Sequence, residues 1–143
     1  MRYLKWFVGL GLVLSLSACF ESKPSDMAVE VMAKRYWVDE LKFAQVFPLQ
    51  EVQLLSAYKE GSDGYVAQVR YRFGATLSEA ELVAHLQAQE AQAASAVLAH
   101  PGVVATLQRL PSGFDRESRL ELTKRLLFRD GERGWLLERE LSD

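Results

Sequence analysis

Apolar and polar positions alternate with a period of two through Tyr65, Ala67, Val69, Tyr71 and Phe73, with Val66, Gln68, Arg70 and Arg72 between them. That is the period of a β-strand with one buried face. Val52, Leu54 and Tyr58 keep the same spacing in the preceding run, and Gly61-Ser62-Asp63-Gly64 separates the two, which predicts an antiparallel hairpin. Placing Tyr58 opposite Tyr65 brings Leu54 to Val69 and Val52 to Tyr71, so the apolar sides coincide. A second hairpin is predicted near the C-terminus. Leu120, Leu122, Leu126 and Phe128 share one face of its first arm, Asp130-Gly131 supplies the reversal, and Trp135, Leu137 and Leu141 share one face of the second.

Before each hairpin the period changes toward 3.6. Val29, Met32, Tyr36 and Phe43 predict a helix from Asp26, with Ser25 as its N-cap, Asp26 and Glu30 as acids in its first turns, and Pro48 as its limit. Two shorter helices broken near Asp39 fit the same residues. Ser78 and Glu81 form a capping box, with Leu77 and Leu82 at the positions of a hydrophobic staple, and the helix they open is expected to run to His100-Pro101-Gly102. Its stripe of Leu82, Leu86, Ala93 and Val97 leaves Gln87, Gln89, Glu90 and Gln92 for solvent. Val103 to Leu110 suits either a strand or a short helix, and Pro111-Ser112-Gly113 is a turn. The order helix, hairpin, helix, hairpin predicts an α+β domain, an antiparallel sheet of two hairpins packed against two helices. Two architectures satisfy it: a cone-shaped domain with a helix gripped by a bent sheet, and a tandem helix-hairpin repeat.

The first nineteen residues follow another rule. Arg2 and Lys5 precede an uncharged apolar run, Trp6 to Leu14, and small residues follow at Ser15, Ser17 and Ala18. This is the order of a secretory signal, and the apolar run is well short of the roughly 20 residues that cross a bilayer. The tetrad Leu16-Ser17-Ala18-Cys19 resembles the lipobox of bacterial prolipoproteins. The resemblance implies a signal peptide over residues 1–18, a lipidated cysteine and tether over 19–25, and a single domain over 26–143. It also implies that acyl chains on Cys19 are the only attached group and that the membrane is bound through them. Phe20, where an aspartate would direct inner-membrane retention, implies the outer membrane, with the domain facing the periplasm. Several chains on one residue make such attachment durable, because one chain alone holds only marginally. By element order alone, the domain resembles the cystatin-like and nuclear-transport-factor-2-like folds, a likeness that carries no functional residue across.

Composition narrows the function classes. The chain has 143 residues, 49% hydrophobic and 25% charged, as expected for one globular domain. Cys19 is the only cysteine, so no internal disulfide is possible. Without the leader, 15 basic and 19 acidic residues remain, a charge of −4 that offers no reason to bind nucleic acid. No phosphate-cradling loop, nucleophile elbow or metal-spaced cysteine pair is present. His85 and His100 lie fifteen residues apart on one predicted helix, roughly 22 Å, too far to share a metal ion. No catalytic residue, metal or cofactor is therefore expected.

Two constellations remain as candidate binding features. Lys124 and Arg139 fall on the inward faces of the last hairpin as near neighbours, where buried like charges need acidic partners, a wet cavity or a route to solvent. Tyr58, Tyr65, Tyr71 and Trp135, with Tyr36, Trp37 and Phe73, supply an aromatic lining; core packing accounts for it, and so does a small-ligand pocket. The expected contact surface consists of Arg70 and Arg72 on the outer face of the first hairpin and Gln89 and Gln92 on the second helix. The expectation is a non-catalytic binding or envelope-assembly module with a periplasmic protein partner. The alternatives are a small-ligand receptor or enzyme using the cone interior, and a periplasmic inhibitor of a lytic enzyme or toxin presenting the Pro111 to Asp115 loop.

Overall fold

The computed structural model describes residues 23–91 and 100–142. Residues 1–22, which hold the expected leader and Cys19, and residues 92–99 lie outside them, as do the side chains of Gln89 and Gln92. In chain order the elements are α1 (Asp26–Arg35), a π-helical turn (Tyr36–Glu40), β1 (Leu49–Glu60), β2 (Gly64–Gly74), α2 (Glu79–Ala91), α3 (Pro101–Arg109), β3 (Arg119–Gly131) and β4 (Gly134–Leu141). The four strands form one open antiparallel sheet in the order β1-β2-β3-β4. The domain is α+β, as the pattern predicts.

The inward face of the sheet is Tyr65, Ala67, Val69, Tyr71 and Phe73 from β2 with Leu120, Leu122, Lys124, Leu126 and Phe128 from β3. Against it α1 buries Val29 and Ala33, and the π-helical turn buries Tyr36 and Trp37. Ser25 caps α1 by accepting from the Ala28 N–H at 3.1 Å. The single long helix expected to run toward Pro48 does not form. The chain widens at Tyr36–Glu40, where the Leu41 N–H donates to the Tyr36 carbonyl, and it breaks beyond Leu41, with Lys42 at φ 56°. The break falls close to the alternative site near Asp39. It sends Phe43 and Phe47 back under Trp37, whose indole N–H donates to the Phe47 carbonyl at 2.9 Å. Trp37 stacks on Tyr71 with centroids 4.8 Å apart and touches Phe43 and Phe73 at 5.0 and 4.7 Å.

The capping box at α2 is present, Ser78 Oγ accepting from Glu81 N–H and Glu81 Oε1 accepting from Ser78 N–H. His100-Pro101-Gly102, read as a stop, instead starts α3. His100 is its N-cap, Nδ1 accepting from the Gly102 N–H at 3.0 Å, and Pro101 sits where a missing N–H costs nothing. The ambiguous Val103 to Leu110 segment is therefore helical, and the two histidines lie on different helices. The loop Pro111 to Asp115 is exposed except for Phe114, which is buried against Phe47 and whose carbonyl accepts from the Glu79 N–H.

Candidate functional site

A polar cluster sits inside this apolar frame. Lys124 on β3 is fully buried, and its ammonium donates to Glu140 Oε1 and Oε2 at 3.0 and 2.9 Å and to Thr106 Oγ1 at 2.7 Å. An ammonium has three protons, so three acceptors satisfy it. Thr106 passes its own proton to the Gly102 carbonyl at 2.7 Å, and the Tyr36 hydroxyl donates to Glu140 Oε1 at 3.0 Å. The π-helical turn, α3, β3 and β4 thus meet in one network. Gly102 makes the approach possible, since a Cβ there would lie 2.2 Å from the Tyr36 hydroxyl and 3.1 Å from Glu140 Oε1.

Above Glu140 a cleft of about 440 Å³ opens between α3 and the end of β4, lined by Tyr36, Glu140, Glu40 and His100 and bordered by Arg139 at the sheet edge. His100 Nε2 lies 3.7 Å from Glu40 Oε2, and its ring meets Tyr36 edge-on at 6.0 Å. Burial lowers the Lys124 pKa, with nearby Arg109 adding to the effect and Glu140 opposing it. Burial, then the charge and hydrogen bond of Glu140, raise the Tyr36 hydroxyl far above its ordinary value, and burial does the same for Tyr71. Among the described residues no group of three His, Cys, Asp or Glu could hold a metal ion.

These shifts fix how stability depends on alkaline pH. An unfolded tyrosine ionises near pH 10, while native Tyr36 and Tyr71 keep their protons, so above that pH the native state binds more protons and stability falls as pH rises. Each tyrosine contributes a slope of about 1.4 kcal/mol per pH unit. Lys124 acts oppositely: its lowered native pKa makes stability rise with pH up to the ordinary lysine value. Urea midpoints of Tyr36→Phe above pH 10 are expected to fall less steeply than those of the natural chain; parallel curves would show that the Tyr36 hydroxyl titrates normally.

Of the expected pocket residues, Lys124, Tyr65, Tyr71 and Trp135 face inward, Tyr71 donating to the Ala33 carbonyl at 2.7 Å and Tyr65 lying 6.1 Å from Trp135. Arg139 and Tyr58 do not. Both corrections have one physical origin, an extra residue in an edge strand. β4 skips Glu138 between the pairs Phe128 to Leu137 and Leu127 to Arg139, so Arg139 points outward and Glu140 takes the inward position opposite Leu126. β1 skips Leu55 between the pairs Leu54 to Val69 and Ser56 to Gln68, so Tyr58 pairs with Val66 instead of Tyr65 and is 53% exposed. Leu54 to Val69 and Val52 to Tyr71 stand as expected. The cation pair Lys124 and Arg139 is thus replaced by the ion pair Lys124 and Glu140.

No family model, curated protein or solved structure matches this chain. Of the expected contact surface, Arg72 lies on the outer face between Glu51 at 2.9 Å and Glu121 at 3.1 Å. Beside it, Arg70 donates to Gln53, and its Nε has no hydrogen-bond partner among the described residues.

Proposed function

We propose that this chain is a lipoprotein whose acyl chains on Cys19 hold it to the outer membrane, and that its domain is a non-catalytic module binding another periplasmic protein. The Leu16-Ser17-Ala18-Cys19 tetrad and the lone cysteine support the anchor. The non-catalytic reading rests above all on one observation: the buried Lys124 ammonium, the Thr106 hydroxyl and the Tyr36 phenol bond one another through the partly buried Glu140 carboxylate. Groups so engaged hold four elements together and are not set to receive a substrate. The outer face of the sheet, with Arg70 and Arg72, is the surface offered to a partner.

The anchor is tested by fractionating cells that make Cys19→Ala. Expected is its transfer from membrane to soluble fraction with an unchanged circular dichroism spectrum, because Cys19 precedes the first described element. Continued sedimentation with membranes would contradict the anchor. The binding role is tested by recovery from envelope extract with the natural chain and with Arg70→Glu/Arg72→Glu, a single partner being retained by the first and lost by the second. Repeated recovery of nothing would overturn it. The cleft over Glu140 favours a second reading, a small-ligand receptor, which requires that filling it with Ala105→Trp abolish a thermal shift produced by a polar metabolite.

A further inference from the structure

The two edges of the sheet are treated differently. On β1 the Glu30 carboxylate accepts from the Leu54 N–H at 3.3 Å, so its edge is partly occupied; two register shifts interrupt β1 and one interrupts β4. β4 has no strand on its outer side, and among the described residues no backbone bond to its free edge is found. Clefts open along both halves of it. One of about 590 Å³ lies between Gly134-Trp135 and the start of α1, and that of about 440 Å³ runs along Glu138 to Ser142.

The side chains that β4 turns to the outer face form a self-complementary series. Leu136 pairs with Arg129, Arg139 with Leu127 and Leu141 with Arg125, all outward positions of β3, and Glu138 reaches Arg129 on the same face at 2.9 Å. The outward order is therefore Leu136, Glu138, Arg139, Leu141. Leu136 is 61% exposed, and Arg139 has no ion-pair partner among the described residues.

We propose that β4 pairs edge to edge and antiparallel with β4 of a second copy of this chain, about a two-fold axis midway between Glu138 and Arg139, giving one continuous eight-stranded sheet. That axis sets Glu138 of each copy opposite Arg139 of the other and Leu136 opposite Leu141. Directly opposed side chains have Cβ atoms about 4.5–5.5 Å apart, within ion-pair and apolar contact. The contact is isologous and so closes at two copies. Both strands carry the same extra residue at the centre, so neither has to skip to stay in register. Glu138 then bridges Arg129 of its own chain and Arg139 of the other. The pairing stands apart from the lipid-anchor and partner readings.

Sedimentation equilibrium of the full chain in detergent tests it. The natural chain is expected to be a dimer, and Arg139→Glu and Glu138→Arg, each placing like charges opposite one another, are expected to be monomers. Mixing the two variants should restore a dimer, since each then meets its complement, whereas mixing has no effect if the substitutions merely disturb folding. A second arm sets the register in Cys19→Ser chains. Leu136→Cys/Leu141→Cys should oxidise to a covalent dimer, and Leu136→Cys alone should not. Within one chain those positions are roughly 16 Å apart along the strand, beyond the reach of a disulfide. A monomeric natural chain, variants that dimerise like it, or no recovery on mixing would overturn the proposal.

Discussion

Glu140→Gln is expected to lower the unfolding free energy by about 3–5 kcal/mol, because it leaves the Lys124 ammonium buried without a counter-charge. Lys124 has no exposed side-chain surface, and Thr106 Oγ1 with a single neutral amide oxygen cannot replace the two oxygens and the charge of the carboxylate. Lys124→Met should cost less, since Glu140 is 11% exposed and keeps the Tyr36 hydroxyl as a donor. The double variant Lys124→Met/Glu140→Gln should recover most of the loss, since a buried pair replaced by uncharged groups of similar volume is often close to neutral. Urea titration of the four chains supplies the cycle. A small loss for Glu140→Gln would mean that the ammonium reaches water or sheds its proton once the carboxylate is gone.

Trp37→Ala should be comparably severe, about 3–5 kcal/mol. The indole is fully buried and lies against Tyr71, Phe73 and Phe43, so truncation opens a cavity bounded by both the sheet and the Phe43–Phe47 segment. Trp37→Phe separates packing from hydrogen bonding. It fills part of the space but leaves the buried Phe47 carbonyl without its donor, a loss of about 1–3 kcal/mol. Thermal unfolding of both variants measures the order. Equal losses would mean that the hydrogen bond, and not the ring volume, carries the contribution.

The sheet was legible wherever one face is buried on a central strand. The alternation of Tyr65 to Phe73 and of Leu120 to Phe128 survives in the structure because a slip of one residue there would turn the whole core set to solvent. The edge strands carry no such constraint on their free side. They absorb extra residues, β1 at Gln50 and again at Leu55 and β4 at Glu138, and the residues beyond each point change face. None of these residues is glycine or proline, so alternation alone carried Tyr58 and Arg139 to the wrong side and hid Glu140. A buried Lys124 needing an acid was readable; which acid was not.

Local chemistry also has two readings where one residue serves both ends of a helix. Ser78 and Glu81 announced α2 because a hydroxyl and a carboxylate three residues apart satisfy each other's backbone donors. Proline at 101 forbids a continuing helix and equally favours a new one, and only the position of His100 Nδ1 over the Gly102 N–H decides between them. Gly102 has a second role invisible in sequence. Its missing side chain admits the Tyr36 hydroxyl, and through it the network that ties α3 to the sheet.

The most direct test of the proposed lipid anchor is mass spectrometry of the amino-terminal peptide from chain recovered with membranes. This peptide is expected to begin at Cys19 and to carry the mass of its acyl chains. A mature chain beginning elsewhere, or beginning at Cys19 with an unmodified thiol, would contradict it.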